Sequence, residues 1–161
     1  MHISSATLAN TQRTIDSYEG CADEYSRIVD PFPSPSLEAA LRQVATAAGK
    51  GGQILEIGSG AGWDADFLET QGVSVRRTDA TRRFLELQAA RGKEGQLLNV
   101  ITDDLCGPYD AVVALCVLIH VPRDQTGPVL EKIVAALRPG GVFLVSMRDG
   151  DGETSGAYHM S

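Results

Sequence analysis

Ile54-Leu55-Glu56-Ile57-Gly58-Ser59-Gly60-Ala61-Gly62 is the stretch that decides the fold. A short apolar run ends in three glycines that alternate with small residues. Trp63-Asp64-Ala65-Asp66-Phe67-Leu68 then opens a helical pattern. The reading is strand, tight turn, helix. Glycine permits the turn and lets a ligand approach the backbone closely. The free N–H groups of the helix start point into the same space. A three-glycine turn alone fits an ordinary strand-to-helix connection equally well, so the surroundings must supply the meaning.

Downstream of the turn, apolar runs alternate with helical patterns. Strands are expected at residues 54–57, 73–78, 96–102, 109–116 and 142–147, with helices at 62–70, 82–90 and 123–137. The run 109–116 is uncharged beyond Asp110 and predicts a central strand buried on both faces. Such alternation predicts a parallel sheet with helices on both faces, in the order 3-2-1-4-5. Upstream, residues 1–13 are polar and small and are expected to be mobile. Ile15, Tyr18, Ala22, Tyr25 and Ile28 recur at helical spacing and predict a helix over 14–29. After the break Asp30-Pro31-Phe32-Pro33-Ser34-Pro35, Ser36 is the expected cap of a second helix that ends before Gly49. One domain is expected: N-terminal helices over 14–49, an α/β core over 53–148, and a polar tail over 149–161.

The composition narrows the function. The chain has 161 residues, 43% hydrophobic and 22% charged, with a net charge of -7. The acidic balance argues against nucleic acid and anionic membrane surfaces as partners. The small basic cluster Arg76, Arg77, Arg82, Arg83 reads as a solvated strand end and helix face. The cysteines Cys21, Cys106 and Cys116 are odd in number, with no CxxC pair. Reduced thiols in a cytoplasmic protein are expected, and no metal site. The N-terminus lacks the apolar run of a signal peptide, and no run approaches the about 20 residues of a membrane span.

Asp79 closes the second strand, about 20 residues past the first glycine, where an acid can accept hydrogen bonds from ribose hydroxyls. It can equally cap the next helix. A dinucleotide or S-adenosylmethionine (SAM) would fit this pair of features. The loop reads G-x-G-x-G, and Trp63 stands where a dinucleotide site keeps its third glycine for close packing. Glu56 also differs from the dinucleotide pattern. It is expected to order the loop or face an ammonium group.

With these residues in view, the chain resembles the class I SAM-dependent methyltransferases, a Rossmann-like family, over roughly residues 14–149. Glu56-x-Gly58-x-Gly60-x-Gly62 matches the first family motif, and Asp79 the acid at the ribose. Asp103-Asp104-Leu105 is similar to the adenine motif, with Asp103 or, one register on, Asp104 as the side-chain acceptor. Residues 109–113 and 137–143 are similar to the motifs of the fourth and fifth strands. Tyr18 and Tyr25 are similar to the aromatic positions of a helix over the SAM pocket.

The resemblance implies SAM as cofactor, S-adenosylhomocysteine (SAH) as product, and cofactor contacts from Tyr18, Tyr25, Glu56, Gly58, Ser59, Gly60, Gly62, Trp63, Asp79, Ala80, Asp103, Asp104, Leu105 and Cys116. His120, just after the fourth strand, is the candidate general base; a histidine bonded to backbone at the start of a helix is the alternative. Cys116 reads as a buried strand residue and a poor nucleophile. Tyr158 and His159 could form a lid. The run Ala114-Leu115-Cys116-Val117 lacks the Asn/Asp-Pro-Pro-aromatic pattern of amide and base-amine methyltransferases, so a small-molecule acceptor is expected.

The family's final antiparallel strand pair is not found in the sequence. The fifth strand should therefore form an exposed edge, open to a second copy or another chain. A SAM-binding module without independent catalysis and a nicotinamide-dependent oxidoreductase domain are the competing readings.

Overall fold

The computed structural model describes residues 2–147. Helix α1 (Ser5–Ile28) is capped by Ser4, whose Oγ accepts from the Thr7 N–H at 3.1 Å. The helix therefore starts at Ser5 and not at Thr14. The polar segment expected to be mobile carries its own serine cap. Helix α2 (Pro35–Ala48) is capped by Ser34 and not Ser36. Pro35 then falls in the first turn, where no N–H is needed.

The alternating core follows: β1 (Gln53–Ile57), α3 (Trp63–Thr70), β2 (Ser74–Asp79), α4 (Arg82–Ala90), β3 (Gly95–Leu97), β4 (Tyr109–Leu115), α5 (Arg123–Ala136) and β5 (Leu137–Ser146). The five strands form one parallel sheet in the order β3-β2-β1-β4-β5, as the sequence predicted.

The two faces of the sheet hold separate cores. Leu55, Ile57, Val112 and Ala114 pack with Leu98, Leu118, Val129 and Ile133. Their strand neighbours Ile54, Ala111 and Val113 face the other way, onto Leu41, Val44 and Leu68. Residues 111–114 of β4 are fully buried, as a central strand requires. Each large buried aliphatic side chain contributes about 1.5–3 kcal/mol.

Two elements differ from expectation. The third strand covers three residues, not 96–102. Asn99 ends it by local bonding: its Oδ1 accepts from the Ile101 N–H at 3.0 Å, and its own N–H donates to Asp103 Oδ2 at 2.8 Å. Leu98, Val100 and Ile101 remain buried, which explains the apolar run. At the other end, Arg138-Pro139-Gly140-Gly141 does not precede the fifth strand but belongs to it. Leu137 pairs with Tyr109 and Val142 with Ala111, so the extra residues are taken up as an irregularity.

Strand β5 ends the sheet order, with Val145 and Met147 exposed. No helix among the described residues is long and apolar enough to cross a membrane. The tail 149–161, with Tyr158 and His159, lies outside the described residues.

Candidate functional site

The strand order reverses between β1 and β4, and a crevice opens there at the carboxyl ends of the strands. A cavity of about 240 Å³ occupies it. Of the residues expected at the cofactor, Tyr18, Tyr25, Gly58, Gly60, Asp79, Ala80 and Cys116 line this cavity, and so does His120.

Gly58 has a φ of +73°, and a Cβ there would lie 2.2 Å from Val117 Cγ2. Only glycine fits between the turn and the loop after β4. The Gly60 N–H donates to Asp79 Oδ2 at 2.8 Å, and the Thr81 N–H donates to Oδ1 at 2.8 Å. Asp79 therefore ties the glycine loop to the start of α4. Its carboxyl is buried, which pushes its pKa up against the opposing pull of those N–H groups. Each carboxylate oxygen has more than one lone pair, so acceptor capacity remains toward a ligand.

Behind the loop lies a network that the sequence did not reveal. Arg77, read as solvated, is 2% exposed. Its Nη2 donates to Asp66 Oδ1 at 2.6 Å and Glu69 Oε1 at 2.9 Å, and its Nη1 to Gln88 Oε1 at 3.0 Å. Gln88 passes the connection on, donating to Ser59 Oγ at 3.0 Å and the Gly60 carbonyl at 2.8 Å. A Cβ on Gly62 would stand 2.7 Å from Gln88 Oε1 and 2.8 Å from Arg77 Nη1. The third glycine thus makes room for this network. Trp63 lies under the Arg91 guanidinium, 4.1 Å from the ring centre, and Arg91 donates to the Ala61 carbonyl at 2.8 Å. Ser59, Gly62 and Trp63 support the loop from outside the cavity.

Glu56 also stays behind the loop. It is 3% exposed, and Oε1 has no hydrogen-bond partner among the described residues. Burial, with the nearby Asp64 and Asp79 charges, pushes its carboxyl up to about 8, against the pull of Ser59 and Arg77.

Asp103, Asp104 and Leu105 are not among the residues that line the cavity. Both Asp103 oxygens are engaged within the turn, with the Asn99 N–H and the Thr102 hydroxyl, and Asp104 Oδ1 accepts from the Cys106 N–H. Leu105 is in the core. Leu98, Asn99, Val100 and Ile101, which follow the short third strand, line the cavity. Cys116 is exposed, not buried. It follows β4 at a φ of +56°, and its N–H donates to Ser146 Oγ at 2.9 Å.

Tyr18 Oη and His120 Nε2 lie 2.9 Å apart, with the rings edge-on. Phe84 packs against both Tyr18 and Tyr25. Thr11, Thr14 and Ile15 extend the α1 wall, and Ile119 and Val121 flank His120. The threonines share the helical spacing of Tyr18, and that pattern could have found them.

The residues fit SAM on three counts. The buried Asp79 carboxylate offers an acceptor for vicinal hydroxyls, and Leu98, Val100 and Ile101 give an apolar wall that suits a flat ring. No Lys or Arg lines the cavity among the described residues, which suits a cationic sulfonium.

Fold and crevice together define a Rossmann-like α/β domain with a cavity at its switch point. The methyltransferase domain family matches residues 55–143, and the chain belongs to that family, whose cofactor is SAM. The chain is 30% identical over 130 residues to a ubiquinone biosynthesis O-methyltransferase of Rickettsia conorii, covering 77% of this chain and 43% of that protein. It is 24% identical over 153 residues to a protein-L-isoaspartate O-methyltransferase of Pyrococcus abyssi, covering 84% and 63%. The chain thus spans about half the length of these relatives. In structure it is similar to DhpI in its SAH complex, with a TM-score of 0.67, 25% identity, and 88% and 71% of the chains covered.

Proposed function

We propose that this chain carries the site of a SAM-dependent methyltransferase whose acceptor is a small molecule. The observation that carries the reading is the buried Asp79 carboxylate, fixed to Gly60 and Thr81 in the wall of the switch-point cavity. SAM supplies an electrophilic methyl, which the acceptor's lone pair takes as the carbon–sulfur bond breaks with its electron pair going to sulfur.

The chain's own work is positional. Asp79 holds the ribose, Gly58 and Gly60 give backbone access, and residues 98–101 with Ala80 flank the base. Tyr18, Tyr25 and Phe84 roof the cavity and limit water. Holding two reactants in line can supply several kcal/mol of the barrier, about 7–11 at best. His120, which lines the cavity, is the candidate general base for the acceptor's proton.

Calorimetric titration with SAM, SAH and NAD tests the reading. Saturable binding of SAM and SAH, with NAD at least tenfold weaker, is expected. Preference for NAD would replace the reading with an oxidoreductase domain. Among the described residues β5 is the last strand of the sheet, and pairing of two copies along it would give a homodimer. Sedimentation as a monomer at working concentration would remove the homodimer.

A further inference from the structure

The glycine loop is held by packing at two of its glycines and by hydrogen bonds at the third. A Cβ on Gly58 would strike Val117, and one on Gly62 would strike Gln88 and Arg77. Around Gly60, at a φ of +56°, a Cβ would meet nothing within 4 Å. Glycine has the widest backbone freedom of any residue, so packing does not fix residue 60. Its N–H donates to Asp79 Oδ2 at 2.8 Å on one side, and its carbonyl accepts from Gln88 Nε2 at 2.8 Å on the other.

The Gln88 bond is fixed from behind. Gln88 sits on α4 and is fully buried. Its amide oxygen and both of its amide hydrogens are engaged. Oε1 accepts from Arg77 Nη1 at 3.0 Å, and Nε2 donates to Ser59 Oγ at 3.0 Å as well as to the Gly60 carbonyl. Arginine only donates, so the amide oxygen must face Arg77 and the nitrogen must face the loop. Asp66 and Glu69 of α3 hold Arg77 in turn. Turning the amide over would set its N–H groups against a buried guanidinium and leave the Gly60 carbonyl without its donor, which is costly. Neither Gln88 nor Arg77 is among the residues that line the cavity.

We propose that Gln88 is a positioning residue of the cofactor site: by holding Gly60 from its carbonyl side, it sets the orientation in which Asp79 meets the ribose. The proposal rests on the methyltransferase reading above and deepens it by naming what controls the ribose contact. Without the Gln88 bond, Gly60 is free to turn, its N–H turns with it, and Asp79 Oδ2 loses its anchor. Oδ1 keeps the Thr81 N–H, so the carboxylate pivots about that bond and its free lone pairs swing out of line. Gln88 touches no ligand and acts through Gly60 and Asp79.

Calorimetry of the whole chain with SAH tests this in two variants. Gln88→Met keeps the length of the side chain and removes its donors. Gln88→Glu keeps an acceptor for Arg77 and, ionised, has no donor for Gly60. Each should bind SAH about fivefold more weakly than the wild type, the worth of one ordinary hydrogen bond. Where Gln88→Met shows no cooperative melting, Gln88→Glu carries the test. In an Asp79→Ala background the same substitution should cost less than about twofold, because the contact it orients is gone. The loss should also need the hydroxyls. In NMR titrations of a Gln88 variant, adenosine should weaken about fivefold and 2′,3′-dideoxyadenosine less than about twofold. Wild-type SAH affinity in a folded Gln88 variant would overturn the proposal. So would equal losses with and without Asp79, or equal losses for the two nucleosides, since a loop that is merely loosened weakens every ligand alike. Failure of the wild-type chain to bind SAH would instead strike the methyltransferase reading on which the proposal stands.

Discussion

Asp79 faces two ways. Toward the protein its oxygens accept the Gly60 and Thr81 N–H groups, and on the other side it lines the cavity, where the proposed ribose contact falls. Hydrogen bonds to a charged group are worth about 1.5–3 kcal/mol, and an unsatisfied donor costs more than a lost contact. Asp79→Ala should therefore weaken SAH binding by more than about 1 kcal/mol, at least fivefold, in calorimetry. Wild-type affinity in that variant would sink the ribose assignment. The position of Asp79 at the end of β2 and in the cavity wall was legible in the sequence, because an apolar run and a glycine turn fix where the strand ends. The surroundings of Asp103 were less legible, because they depend on where β3 stops, and Asn99 stops the strand early by bonding to its own neighbours. Arg77 was also illegible, because its partners Asp66, Glu69 and Gln88 come from α3 and α4, and only the tertiary fold gathers them.

At the scale of elements, α1 stands apart. Among its side chains only Thr7 and Ala22 are buried, and the helix joins the rest through polar and aromatic contacts. Arg83 of α4 grips Asp23 with two bonds, at 2.6 and 2.7 Å, and its N–H donates to Glu19 Oε1 at 2.7 Å. Glu19 thereby caps α4, where Thr81 makes no side-chain cap bond. The clasp is exposed, so salt screens it. In Arg83→Ala, amide exchange in the middle of α1 should quicken about two- to fivefold while β1 and β4 keep their protection. High salt should move the wild type the same way. Unchanged exchange in the variant would mean that the aromatic contacts alone hold the helix. The sheet was far more legible than α1. Strand order follows from alternation, connection rules and the apolar run 109–116, all local in sequence. The start of α1 at Ser5 rests on a single capping serine in a stretch of little apolar pattern.

For the whole molecule, the acids around the loop whose burial raises them set how stability answers to pH. Glu56 is raised by burial from 4.5 to about 8. Asp64 and Asp79 are raised in the same direction, also by burial. An acid with a raised folded-state pKa binds more protons folded than unfolded between its two pKa values. Stability then falls as pH rises through that window, which for Glu56 runs from 4.5 to about 8. One such group contributes a slope of at most about 1.4 kcal/mol per pH unit. Asp23, Asp66 and Asp110 are lowered and act oppositely, but in the acid range below the usual carboxylate value. The net charge of -7 adds a repulsion that also grows with pH. Glu56→Gln separates the two causes, since it keeps the shape and removes the titration. The wild-type Tm should drop between pH 5.5 and pH 8.0 at fixed ionic strength, and the Gln variant should lose most of that drop while becoming the more stable of the two at pH 8.0. Equal drops in both proteins would show that Glu56 is solvated or paired in solution. The partnerless Oε1 behind the glycine loop would then not describe the working protein.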